Sequence, residues 1–552
     1  MRLILCTLLT LGLSQFANAQ RIIPYEELGW ETTHDPVSLK AVDPDSVYSF
    51  SYWGSSYFHE GEEPDTVFNA VDLLKCKNLQ RLSLHNVAAQ FVVDNLEKFP
   101  MLQILELNDV NLGEGFPIEI YELKELRSLG LNQISSVKFD EAALKKCKIE
   151  KLEFIEFSAT TDDENNAILH FNVFPNLKDL YLSSSNISNA DLAFGCANLE
   201  RLELSECGDL SKLDLTGLDK LLYLSLYNLY ALETEPIGLA SQDKLTELYI
   251  RNCPFKIEIL TLSGCTSIVT LLIDGCTVTD LSSIGNMLEL ATLTISNNGL
   301  TRLPENIGDC KMLISITASD NSISELPRGL FDLKNLNYLE LSNNTISTLP
   351  KGLSSLQELN TLTLNGNSIS KIEDGAMNLP KLKYLEMNYC GLKSLPADFG
   401  NLRSLYEAQF IGDSLTTIPA SFLKLSNLVY LNFAYNQIST LPEGWAGLNK
   451  LYSINLSENK LNKLPKDFFA LNALVSLNLE NNLLKSLPTK VAKTPMLVYL
   501  TINGNQHIKY PKGIEKFPKL SFVYVNATDL SAKELAKWKK KLGEKLQVRE
   551  RD

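Results

Sequence analysis

The chain has 552 residues, 45% of them apolar, and a formal charge of -15. The apolar share is that of a folded protein, and the net acidity argues against nucleic acid or an anionic membrane surface as partner. At this length several domains would be the default expectation, but a repeat running through most of the chain overrides it.

In chain order, the first element reads as an export signal. Arg2 supplies a positive start, Leu3 to Leu13 an apolar stretch too short to span a bilayer, and Ala17-Asn18-Ala19 a small-residue cleavage site. Residues 1–19 are therefore expected to be a signal peptide, with Gln20 first in the mature chain. No Cys near that point could carry a lipid anchor, and no later stretch is long and apolar enough for a membrane helix. The expected address is extracellular or periplasmic, without membrane insertion. Residues 20–78 are expected to form an N-terminal cap, with an edge strand at Val47 to Tyr52 and a Pro-initiated helix from Pro64 to Leu74.

From residue 79 a unit of the form Leu-x-x-Leu-x-Leu-x-x-Asn recurs, as in Leu336, Leu339, Leu341 and Asn344. Residues 79–289 hold irregular copies. One interval contains a polar loop, Ser158 to Phe171, a candidate for contact with a partner. Residues 290–528 hold regular copies. There Asn298, Asn321, Asn344, Asn367, Cys390, Asp413, Asn436, Asn459, Asn482, Asn505 and Thr528 follow one another every 23 residues. Fixed self-similarity at this period means a solenoid in which each unit buries its apolar face only against its neighbours. Residues 529–552 should close the array. Ser531 and Glu534 are spaced as a capping box, and Leu535, Trp538, Leu542 and Leu546 form one helical stripe. Lys537, Lys539, Lys540, Lys541 and Lys545 lie on the opposite, solvated face.

The later units add Leu-Pro after the Asn, at Leu303-Pro304, Leu326-Pro327, Leu349-Pro350, Leu395-Pro396, Leu441-Pro442, Leu464-Pro465 and Leu487-Pro488. With these motifs the chain resembles leucine-rich repeat proteins of the 23-residue subtype found in Ras-binding scaffolds and many bacterial repeat proteins. The resemblance implies a curved α/β solenoid of about twenty repeats with a parallel β-sheet on its concave face, capped at both ends. It also implies a binding role, without naming the partner.

Counting the first Leu of each unit as place zero, places three and five alternate with places two, four and six. That is the period-2 signature of a strand with one buried face. The Asn at place eight can satisfy backbone groups in the loop after the strand. Cys207, Cys253, Cys276 and Cys390 occupy that slot. Cys76, Cys147, Cys196, Cys265 and Cys310 lie just before a repeat's first apolar residue. All nine read as small buried packing residues, with no disulfide expected. A bridge between Cys253 and Cys276 on neighbouring rungs is the rival reading.

Places two, four and six point outward, onto what the resemblance identifies as the concave face. The twelve rungs from residue 268 onward offer 36 such positions without a Lys or Arg among them, but with Asp274, Glu340, Glu386, Glu407 and Glu480. Tyrosine is concentrated here, and Tyr338, Tyr384 and Tyr430 recur at place two on every second rung. Tyr combines a large rigid contact area with a hydroxyl, so it suits binding surfaces. The pattern also breaks locally: Glu373 replaces a Pro, Cys390 and Asp413 replace Asn, and Ala408 and Phe410 replace core Leu. The candidate ligand-binding residues are Tyr338, Glu340, Tyr384, Glu386, Asn388, Tyr389, Glu407, Gln409, Ile411, Tyr430, Tyr435 and Tyr499.

No catalytic arrangement is expected. His34, His59, His85, His170 and His507 show no metal-ligand spacing, and there is no phosphate loop or nucleophile elbow. No cofactor or metal is expected. The functional expectation is an exported scaffold binding an uncharged or cationic protein or peptide on its concave face. A glycan-binding surface protein is one alternative and a purely structural surface protein a second. An intracellular signalling scaffold is a third, should residues 1–19 not be a signal.

Overall fold

The computed structural model describes residues 43–53, 73–85, 95–110, 118–134, 140–155, 173–185, 196–208, 210–254, 262–278, 280–488 and 494–549. The export signal, most of the Pro64 to Leu74 helix and the Ser158 to Phe171 loop lie outside the described residues. The chain forms two compact units, Met1–Leu232 and Glu233–Asp552.

Among the described residues of the first unit, eight five-residue strands stack in parallel, from Ser49–Trp53 through Arg81–His85 to Tyr223–Tyr227. Ser49–Trp53 is the outermost of them and pairs with Arg81–His85, as the edge strand expected at Val47 to Tyr52 should. Short α-turns at Ile118–Tyr121 and Glu141–Leu144 return the chain between rungs.

Among the described residues of the second unit, fourteen strands stack in parallel in chain order, from Glu247–Arg251 to Leu546–Arg549. From Thr292–Thr294 to Tyr499–Thr501 each strand of this sheet is three residues long, as in Tyr338–Glu340, Tyr384–Glu386 and Tyr430–Asn432; the next, Phe522–Asn526, has five. The register is the repeat itself: Tyr338 pairs with Thr361, Thr361 with Tyr384, Tyr384 with Glu407 and Glu407 with Tyr430.

Opposite the sheet the chain returns mostly in 3-10 turns rather than full helices. Glu305–Asp309, Arg328–Asp332, Lys351–Ser355 and Ala420–Lys424 each follow a proline in extended conformation. Proline fixes φ and lacks an N–H, which suits the position entering a turn. A 23-residue coil, having spent its strand and loop, leaves too few residues for long helices.

The core is a stack of aliphatic layers. In one rung Leu336, Leu339, Leu341, Ile346, Leu349, Leu353 and Leu356 are all fully buried. Each such side chain is worth roughly 1.5–3 kcal/mol relative to exposure. The break in the leucine pattern at Ala408 and Phe410 is repaired within the core. Phe410 stacks on Phe433 at 5.1 Å, Phe399 stacks on Phe422 at 5.6 Å, and Phe410 meets Phe399 edge-on at 5.6 Å. The extra ring volume compensates for the small Ala408, which is itself fully buried.

The C-terminal cap departs from the expected single helix over 531–546. The helix is Ala532–Leu542, and Gly543 at φ 55° ends it. Leu546 instead opens the strand Leu546–Arg549, which adds to the sheet beside Phe522–Asn526. Ser531 caps the helix by accepting from the Glu534 amide, but the reciprocal half of the capping box is absent. The Glu534 carboxylate accepts from the backbone N–H of Tyr510 at 3.1 Å, tying the cap to an earlier repeat. Trp538 and Leu542 are buried, with Trp538 edge-on to Tyr510 at 5.3 Å, and Lys539, Lys540 and Lys541 face solvent.

Candidate functional site

The loop after each strand sets how outward residues are presented. The residue at place seven is left-handed in rung after rung: Asn297, Asp320, Asn343, Gly366, Tyr389, Gly412, Tyr435, Glu458, Asn481 and Gly504 all have positive φ. Asn, Asp and Gly tolerate this conformation; an aromatic residue does so rarely. Tyr389 (φ 58°) and Tyr435 (φ 57°) are therefore thrust out at the rim, 64% and 59% exposed. Gly412 has a specific reason to lack a side chain, since a Cβ there would meet the Tyr389 ring at 2.2 Å. The ring of one rung lies across the backbone of the next.

Place eight holds the loop closed. Asn436 donates from Nδ2 to the carbonyls of Phe410, Phe433 and Ala434, and its Oδ1 accepts from the Leu415 amide. The same set recurs at Asn459 and Asn482. At Cys276 and Cys390 the thiol takes the donor's part, with Cys390 Sγ 3.1 Å from the Leu364 carbonyl. The nine described cysteines are unbridged and buried.

On the sheet's exposed face, Tyr338, Tyr384, Tyr430 and Tyr499 stand in one column at place two, each a little over one-third exposed. Tyr338, Tyr384 and Tyr430 sit two rungs apart, which at about 4.8 Å per strand is roughly 9.6 Å. Two further tyrosines interleave with this column. Tyr406 lies edge-on between Tyr384 and Tyr430, at 5.9 and 5.5 Å, and Tyr452 is edge-on to Tyr430 at 6.0 Å. Both occupy place one, which the sequence reading passed over. The short strands begin at place two, so a place-one side chain escapes strict alternation and turns to the same open face. The visible signal was the aromatic identity at consecutive odd rungs.

Beside the tyrosines run carboxylates. Glu340 accepts from Ser319 Oγ and the Ser342 amide, Glu386 from Asn365 Nδ2, and Glu407 from Gln409 Nε2. Among the described residues none of these three makes an ion pair with Lys or Arg, whereas Asp274 is paired with Arg251 Nε at 2.8 Å. Partial burial and the nearby Glu340 and Glu386 charges raise the Tyr338 hydroxyl pKa above its usual value. Ile411 is half-buried on this face. Asn388 is the exception among the candidates. It is buried, its Oδ1 accepts from the Ile411 amide at 2.7 Å, and its Nδ2 reaches Gln409. Its hydrogen bonds hold the Ile411 backbone and the Gln409 side chain.

Among the described residues no group of His, Cys, Asp or Glu could hold a metal ion, and no helix is long and apolar enough to cross a membrane.

Two family models match the rungs of the second unit. One described as leucine-rich repeat region covers residues 244–374 and 324–417, and one described as leucine rich repeat covers 412–461 and 449–506. With one parallel strand per repeat and the Asn ladder closing each coil, the chain is a leucine-rich repeat protein. No curated protein matches it. Among solved structures it is similar to a leucine-rich repeat protein of Leptospira interrogans, with 21% identity, 94% of this chain and 100% of that one covered, and a TM-score of 0.48. It is also similar to the Arabidopsis receptor kinase HAESA, solved in complex with the peptide hormone IDA and the co-receptor SERK1, with 20% identity, 78% and 80% covered and a TM-score of 0.49. A third is the functional domain of InlJ from Listeria monocytogenes, which includes a cysteine ladder, with 22% identity, 65% and 71% covered and a TM-score of 0.47.

Proposed function

We propose that this chain is an exported binding scaffold whose second unit takes a protein or peptide partner on the exposed face of its sheet. The supporting observation is the in-register column of exposed Tyr338, Tyr384 and Tyr430, interleaved with Tyr406 and Tyr452 and flanked by Glu340, Glu386 and Glu407. Aromatic anchors in a preformed frame bind at low ordering cost. Carboxylates without a cation of their own favour a cationic or uncharged partner. No metal, cofactor or bond-making step enters this reading. Export rests on the character of residues 1–19.

The test is affinity capture from the native envelope with the mature chain as bait. Wild type is compared with a variant carrying Tyr338→Ala, Tyr384→Ala and Tyr430→Ala together. A saturable protein partner held by wild type and weakened at least tenfold by the triple change supports the proposal. Equal capture by both sinks it. Saturable binding on a glycan array with no protein partner would transfer the same face to sugar recognition.

A further inference from the structure

Place eight offers its occupant carbonyls that need a hydrogen-bond donor, and amides that an Asn oxygen also accepts from. Asn344, Asn367, Asn436, Asn459, Asn482 and Asn505 each turn Nδ2 onto carbonyls of their own rung and of the rung before. Where Cys stands instead, the S–H points to the matching carbonyls, as Cys390 Sγ does to Leu364 at 3.1 Å and Asn388 at 3.6 Å. Asp413 fills the same place and is 6% exposed. Its Oδ1 does what an Asn Oδ1 does, accepting from the amides of Cys390 at 2.9 Å and Leu392 at 3.0 Å. Its Oδ2 is buried and without a partner. By the repeat, the carbonyls that an Asn here would serve are those of Met387, Phe410 and Ile411. An ionised oxygen among carbonyl oxygens meets only lone pairs, while a protonated one donates.

We propose that Asp413 is held as the neutral acid, donating from Oδ2 into this carbonyl group, and that its ionisation loosens the loop presenting Tyr389 and Ile411, so that the exposed face is proton-sensitive. The consequence for binding rests on the function proposed above; the protonation state and the loop opening do not.

The connections are short. The Ile411 carbonyl accepts from the Tyr389 amide at 2.7 Å, and the Ile411 amide is held by Asn388. The Tyr389 ring lies across Gly412, next to Asp413 in the chain. The side chains flanking Asp413 in the ladder are Cys390 on the rung before and Asn436 on the rung after, and no charged side chain contributes to its titration. Burial pushes the carboxyl from 3.8 up to about 6, against the pull of the Leu392, Cys390 and Gly391 amides. Cys390 is pushed up to about 12, by burial first, and stays a thiol throughout this range.

The sign follows from the two proton affinities. Between pH 3.8 and about 6 the folded chain keeps a proton that the unfolded chain has lost. The stabilising contribution is complete below the lower value, falls as pH rises through about 6, and stays lost above it. That difference amounts to roughly a hundredfold in the folding equilibrium.

The test compares the full chain with Asp413→Asn, a residue that neighbouring rungs already accept. Thermal melts and amide hydrogen exchange are followed from pH 4.5 to 8. The Asn variant should melt well above wild type at pH 8, with the gap closing toward pH 4.5. In wild type the Tyr389, Cys390 and Leu392 amides, corrected for intrinsic rates, should exchange at least tenfold faster at pH 7.5 than at pH 5, and in the variant they should not. A melting gap independent of pH, or equal exchange profiles, overturns the proposal. With the captured partner, wild-type binding should weaken from pH 5 to 7.5 while Asp413→Asn binds alike at both. Identical pH profiles for the two proteins overturn the gating. A partner unaffected by the tyrosine triple change overturns the surface reading instead, and leaves Asp413 to be decided by exchange.

Discussion

A single side chain can govern a whole rung here because place eight serves the buried loop carbonyls and amides that the rung-to-rung backbone bonds leave over. Asn482 illustrates the dependence. Its Nδ2 serves the Leu456, Leu479 and Glu480 carbonyls, and its Oδ1 the Leu461 amide. Asn482→Ala would strand several buried groups, each worth about 1–3 kcal/mol. Part of that returns as water enters, so a net loss of about 2–4 kcal/mol is expected by urea denaturation. Asn482→Cys, which keeps one donor, should cost less; an equal loss would remove the donor from the explanation. Gly412 is a second such residue. Gly412→Ala must accommodate a Cβ at φ +69° and 2.2 Å from the Tyr389 ring. It should destabilise by about 1–2 kcal/mol and displace Tyr389, seen as shifts of the Tyr389 ring resonances. Unmoved resonances would mean that the ring does not rest on Gly412.

At the scale of elements, the tyrosine chain and the terminal helix are separable units. Tyr406 and Tyr452 lie between or beside the column tyrosines, and each edge-on contact is worth about 0.5–1.5 kcal/mol. Replacing both by Ala removes these three contacts and should lower the melting temperature by only a few degrees, since each residue is already more than one-third exposed. Partner affinity should still fall severalfold as the neighbouring rings lose their orientation. Unaltered affinity would confine the site to the column itself. The helix Ala532–Leu542 seals the last repeats through Trp538, which is fully buried. Trp538→Ala should cost about 3–5 kcal/mol. In a repeat array that loss is local, so faster exchange in Phe522–Asn526 and Leu546–Arg549 should precede any change near Tyr338–Glu340. Uniform loosening of the second unit would contradict a cap.

At the scale of the whole molecule, the net charge of -15 belongs to the first unit: residues 1–232 hold 35 Asp and Glu against 18 Lys and Arg, whereas residues 233–552 hold 31 against 33, so any acidity on the second unit's exposed face is local. On the first unit's strands two outward acids are paired, Glu106 with Arg81 at 2.7 Å and Glu153 with Lys151 at 3.4 Å. In the second unit, Glu340, Glu386 and Glu407 form no ion pair with Lys or Arg among the described residues. A cationic partner should therefore bind with an affinity that falls as salt rises from 0.05 to 0.5 M, where the screening length shrinks from about 14 to about 4 Å. Replacing those three by Gln should flatten that dependence. An unchanged slope would locate the charge recognition elsewhere.

The sequence alone determined the fold. A 23-residue spacing with Leu at places zero, three and five permits one burial scheme, because a strand alternates and a coil can hide its apolar side only against the next coil. Leu336, Leu339 and Leu341 were legible as core and Tyr338, Tyr384 and Tyr430 as outward for the same reason. Tertiary structure alone decided what lies outside that alternation. Tyr406 and Tyr452 turn outward because the strands are only three residues long. Asn388 is drawn inward to hold Ile411, and Leu546 leaves the expected helix for a strand because Gly543 stops one and the sheet edge offers the other. Asp413 follows the same rule: its letter shows a carboxyl, but only the carbonyls gathered around place eight decide whether it carries a proton.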